Sequence, residues 1–184
     1  MKGVYMASQA TNADWLALTV EAPLEPDLPI CDPHHHLWDL RPTRVAPRYL
    51  LDEILTDVRS GHNVVSTVFI ECASMFKTDG PEAMRPVGEI EFVNGIAAMS
   101  ASGQYGPVRI AAGIVGTADL RLGDAVAAVL EAHLVAGGGR FRGIRLGGTW
   151  MPATRFRTIA PILPRGYSCA RTSGPGSPIW RRAS

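Results

Sequence analysis

Apolar positions along this chain fall into short continuous runs separated by longer stretches of helical period. Leu28–Asp32 (LPICD) is a brief apolar run that leads into a histidine cluster and predicts a short strand. Asn63–Cys72 (NVVSTVFIEC) is apolar on both faces, the mark of a strand buried in a parallel sheet. Val108–Gly116 (VRIAAGIVG) and Phe141–Leu146 (FRGIRL) predict two further strands. Between them lie helical periods. Tyr49–Arg59 predicts one helix, and Arg85–Ser102 a second, with Pro86 near its first position, Glu89 and Glu91 in its opening turns, and Ile90, Val93, Ile96, Ala97 and Ser100 on one stripe. Asp119–Ala136 predicts a third, with Val126, Val129, Leu130, His133 and Leu134 on its stripe and Gly137–Gly139 ending it. Strands alternating with helices of this length form βαβ units around a parallel sheet.

Composition refines this picture. The 184 residues are 46% hydrophobic and 19% charged, the balance of a globular domain with a real core. A net charge of +1 gives no electrostatic reason to expect nucleic acid or an anionic membrane as partner. No apolar run approaches the roughly 18 residues that span a bilayer, and residues 1–20 lack a secretory apolar core. The three cysteines, Cys31, Cys72 and Cys169, are too few and too scattered for a disulfide framework, so a reducing cytoplasm is the expected setting. Cys31 and Cys72 read as small buried apolar residues.

Charge is unevenly distributed. Residues 1–150 balance to −5, whereas residues 151–184 hold six arginines and no acid, for +6. That last segment also carries five prolines, three glycines and four serines. It reads as a disordered tail or as the product of a shifted reading frame. The expected organisation is an N-terminal extension (1–27), an α/β unit (28–150) and this tail (151–184).

The candidate chemistry sits in Asp32-Pro33-His34-His35-His36-Leu37-Trp38-Asp39. Side chains alternate along an extended strand, so His34 and His36 share a face, with Cα atoms roughly 6.5 Å apart. Two imidazoles so placed can converge on one divalent cation, while His35 points the other way. Asp32 and Asp39 are candidates to orient the ring N–H groups. Glu71, ending the second strand, is a candidate hydrogen-bonding partner for substrate or for a ligand histidine. Arg145, at the end of the fourth, is a candidate clamp for a carboxylate or lactone oxygen. Each has a plain alternative, a satisfied strand-end carboxylate and a surface ion pair. His133, on a helix stripe, reads as structural, and His62 as a turn residue.

The segment ICDPHHHLWD resembles the first-strand signature of the amidohydrolase superfamily, in its amidohydrolase-2 branch of metal-dependent barrel hydrolases. VVSTVFIECASMF, GPEAMRPVGEIEFVNGIAAM, VRIAAGIVGTADLRLGDAV and RFRGIRL resemble the following strands and helices of that branch, in order, over about residues 28–150. The resemblance implies a (β/α)8 TIM barrel, here partial, with about four parallel strands and outer helices. It implies His34 and His36 as catalytic metal ligands, zinc or a similar divalent metal as cofactor, and hydrolysis of a lactone or related ester or amide ring bond of a small-molecule substrate. A decarboxylase of the same superfamily is an alternative, and so is an inactive fragment that binds metal weakly. The family's later histidine ligands and its catalytic aspartate have no counterpart here, and Leu146 stands where many relatives carry histidine. A half-barrel also exposes its edge strands, which predicts self-association.

Overall fold

The computed structural model describes residues 17–41, 46–147, 167–170 and 179–182. Four strands, β1 (Ile30–His35), β2 (Val64–Ile70), β3 (Arg109–Gly116) and β4 (Phe141–Ile144), form one sheet in the order β1-β2-β3-β4. All three pairings are parallel. Three helices connect them: α1 (Leu51–Val58), α2 (Val87–Ala101) and α3 (Val126–Ala136). Because every crossover leads to the next strand along, the sheet is wound in one direction only. No helix among the described residues is long and apolar enough to cross a membrane.

The core lies between the helices and one face of the sheet. Leu51, Ile54 and Leu55 of α1 and Ile90, Val93, Ile96 and Ala97 of α2 join Phe69 of β2 and Ile110 and Ile114 of β3 in one buried cluster. The alternate residues of β2, Val64, Ser66, Val68 and Ile70, are only half-buried. One face of the sheet is thus more fully covered than the other.

β3 contains a bulge. Ala111 has a φ of 50°, and the β2–β3 register slips between Ser66 and Val68. A bulge removes ladder hydrogen bonds, and side chains replace them. Thr67 Oγ1 accepts the Ala111 N–H at 2.9 Å, and Ser100 Oγ accepts the Ile110 N–H at 3.0 Å while donating to Val108 O.

Several expectations need correction. His34 and His35 lie within β1, which runs beyond the predicted end at Asp32, and His36 follows directly after it. The predicted helix 119–136 is two pieces, a 3₁₀ segment Leu120–Ala125 and then α3, because Gly123 takes a φ of 59° and breaks the α-helical path. Of the α3 stripe, Val129 and His133 are buried but Leu134 is exposed, since α3 packs at the margin of the sheet. Cys31 is exposed on β1, which among the described residues is an end strand with a single neighbour. In the tail, Tyr167–Ala170 (β5) and Ile179–Arg182 (β6) form an antiparallel pair where no element was predicted. Such a ribbon needs main-chain pairing and strand-favouring residues such as Tyr167, Ile179 and Trp180, not an amphipathic period. The rest of the tail and residues 1–16 lie outside the described residues.

Two glycines of α2 provide a test of the packing. A Cβ on Gly88 would stand 2.5 Å from Met75 O, whereas one on Gly95 meets nothing within 4 Å. Gly88→Ala is expected to cost about 1–3 kcal/mol of unfolding free energy. Gly95→Ala is expected to add about 0.5–1 kcal/mol, as helix propensity dictates at an exposed position. Urea denaturation of the two variants checks both signs.

Candidate functional site

The site begins with the pleat of β1. His35 turns inward, only 7% exposed, and its Nε2 shares a 2.8 Å hydrogen bond with Thr67 Oγ1. Burial pushes its pKa down to about 4, so the ring is neutral. With His35 inside, His34 and His36 share the other face: their Nε2 atoms lie 3.2 Å apart, with the rings edge to face at 88°.

The tautomers follow from the partners. His36 Nδ1–H donates to Ile70 O at 2.8 Å, so His36 Nε2 carries a lone pair and accepts from His34 Nε2–H. Burial lowers the pKa of His36, and the positive charge of Arg145 works in the same direction, while the bond to Ile70 and the charge of Glu71 oppose them. Asp32 and Asp39, expected on the histidine rings, serve the backbone instead: Asp32 Oδ1 accepts the His34 N–H and Asp39 Oδ1 the Leu40 N–H. A carboxylate this close in sequence reaches an amide more easily than a ring that turns away.

Glu71 and Arg145 meet at the same end of the sheet. Glu71 N–H donates to Val115 O, and Arg145 N–H to Gly116 O, so each extends the ladder one step past its strand. Across the end of β3, Arg145 Nε donates to Glu71 Oε1 and Nη2 to Glu71 O, both at 2.8 Å. The two residues thus form a forked ion pair between β2 and β4. Among the described residues, no group of three or more His, Cys, Asp or Glu side chains is placed to hold a metal ion. The donor set fits one in part: a tetrahedral cation with metal–nitrogen bonds near 2.1 Å needs nitrogens roughly 3.4 Å apart, close to the observed pair.

Three residues that sequence reasoning passed over shape the loop after β2. Glu89, placed by its pattern among opening-turn acids, is fully buried. Its Oε1 accepts the Cys72 and Ser74 N–H groups at 3.1 and 2.7 Å, while Oε2 makes no hydrogen bond among the described residues. These bonds hold a loop in which Ala73 and Met75 both have positive φ, near 57° and 54°. Its spacing from Val93, Ile96 and Ala97 puts Glu89 on the buried stripe, which was the available signal. Arg41 Nη2 donates to Cys72 O, and Thr67 of β2 is the residue whose hydroxyl accepts from the β3 bulge. Burial pushes the Cys72 thiol up to about 11, so it is no thiolate nucleophile. His133 is structural as expected, donating from Nε2 to Thr117 O at 2.8 Å and stacking on Phe141.

No protein-family profile matches the chain, and neither does any solved structure. The chain is similar to the uncharacterized protein y4mH of Sinorhizobium fredii (strain NBRC 101917 / NGR234), at 30% identity over 137 residues. The match covers 65% of this chain and 40% of y4mH, so it spans about two fifths of that relative's length.

Glu89 and His35 make opposite contributions to pH dependence. Burial raises Glu89 to about 7 from 4.5, so its contribution to stability is complete below pH 4.5 and is lost as pH rises through 7. His35, lowered from 6.5 to about 4, contributes fully above pH 6.5 and loses that contribution as pH falls through 4. The two slopes oppose each other between pH 4.5 and 6.5. Glu89→Gln removes one of them. Relative to the parent, this variant is expected to gain on the order of 2 kcal/mol at pH 8 over its value at pH 5, as read by denaturation at the two pH values.

Proposed function

We propose that this chain is the metal-holding N-terminal part of an amidohydrolase-type hydrolase of (β/α)8-barrel architecture, acting on a lactone or a related ring ester or amide. One observation carries the reading: two imidazole nitrogens 3.2 Å apart at the C-terminal end of the first strand of a parallel sheet wound in one direction. That end of the strands is where barrel enzymes keep their chemistry. A divalent cation such as zinc, held by His34 and His36, would supply Lewis acidity toward a carbonyl and a lowered pKa for bound water.

The chain's own residues prepare for this. Ile70 O fixes His36 in the tautomer whose Nε2 lone pair, which here accepts from His34, would ligate the cation, and burial favours the neutral ring. Arg145 is oriented by Glu71 through Nε and Nη2, while its Nη1 takes no part in those bonds and is the donor available to a substrate carboxylate or ring oxygen. Catalytic zinc sites use about three protein ligands and a water, and two histidines fall short of that set. The chain by itself is therefore expected to bind zinc without turning over a lactone.

Calorimetric titration of the full chain with zinc tests the reading. His34→Ala and His36→Ala should each weaken binding by about tenfold or more, whereas His35→Gln, where folded, should leave it largely intact. Affinity should fall as pH is lowered, because protons compete for the same nitrogens. Unchanged zinc binding in the His34→Ala/His36→Ala double variant would refute the proposed site.

A further inference from the structure

A second feature of the C-terminal rim involves neither the histidine pair nor the Glu71–Arg145 bridge. A cavity of about 590 Å³ opens between the loop before α2, the turn after β3 and the residue after Arg145. Its walls are mostly apolar, built by Phe76, Pro81, Pro86, Ala118, Leu122 and Leu146. Volume and lining are those of a small-molecule site, and the position is where parallel sheets bind ligands.

The charged residues of the lining select the ligand. Asp119 and Arg121 neutralise each other, with Arg121 Nε and Nη2 donating to the two carboxylate oxygens at 2.7 Å each. Glu82 and Arg85 remain, and among the described residues neither makes an ion pair. Arg85 is set on a firm base: its carbonyl accepts the Lys77 N–H at 3.0 Å, and Pro86 follows it with a fixed φ. An exposed arginine among the lining residues of an apolar cavity is suited to a carboxylate, which its guanidinium can engage through two parallel N–H groups. Glu82, three residues away, opposes a second negative charge. We propose that this cavity binds a small, singly charged carboxylate with an apolar body, its carboxylate on Arg85 and its body against Phe76, Leu122 and Leu146.

The test is fluorine NMR on the full chain, without added metal. The probes are 4-fluorophenylacetate, its neutral amide and the dianion 4-fluorophenyl phosphate at pH 8. The acid should bind saturably, and the amide and the phosphate several-fold more weakly. Arg85→Ala should weaken the acid by about tenfold or more, and Arg85→Lys by less. Glu82→Gln should narrow the gap between acid and phosphate. Leu122→Trp, at a partly exposed position, should reduce binding of the acid by filling the cavity, with circular dichroism confirming that the variants are folded. His34→Ala/His36→Ala should leave the acid's affinity unchanged, which separates this site from the proposed metal site. Equal binding of acid and amide, an unaltered affinity in Arg85→Ala, loss of binding in the double histidine variant, or no saturable binding of the acid would each overturn the proposal.

Discussion

The site geometry depends on one interaction, the hydrogen bond between His35 and Thr67 inside the sheet. Thr67 Oγ1 also accepts the Ala111 N–H, so a single hydroxyl ties β1 to β2 and to the bulge of β3. Because side chains alternate along a strand, holding His35 inward obliges His34 and His36 to face outward together. A shift of one residue in β1 would bury His34 and His36 and expose His35. The cost of removing imidazole from water is offset in part by the bond of Nε2 to Thr67, with the ring neutral. Register and candidate chemistry therefore have the same physical origin.

Polar groups hold the C-terminal end of the sheet where the strands themselves have stopped. Glu71 and Arg145 continue the ladder by one backbone step each and then lock β2 to β4 across β3. Beneath them the buried carboxylate of Glu89 supplies two acceptor contacts to a loop with two non-glycine residues at positive φ. Such backbone costs on the order of 1–3 kcal/mol per residue unless its surroundings enforce it. Glu89 enforces it while its second oxygen makes no hydrogen bond among the described residues. A carboxylate so placed makes the conformation of this loop sensitive to protonation, unlike the aliphatic packing around it.

Among the described residues β1 and β4 each have one strand neighbour, and the face of β2 away from the helices is only half covered. The similarity to y4mH extends over 40% of that protein, so the relative has more chain than is represented here. In the proposed barrel, strands from such additional chain would cover this face and pair with these edges, as closure of a barrel requires. The half-covered face and the two-histidine donor set fit that reading together.

The sequence by itself determined the alternation of strands and helices, the parallel order of the four strands and the shared face of His34 and His36. Each of these follows from local periodicity, which the chain carries residue by residue. The limits of local reasoning appear at particular residues. Gly123 broke a helix whose apolar period ran straight through it, and Leu134 stayed exposed because no described residue packs over that part of α3. Asp32 and Asp39 turned to nearby amides, and the partner of His36 proved to be a carbonyl 34 residues away. Glu89 looked like a helix-capping charge and became the buried anchor of a loop. Those outcomes were decided only by the tertiary structure, because burial and hydrogen-bond partners depend on which distant segments come together, and periodicity along one segment contains no record of that.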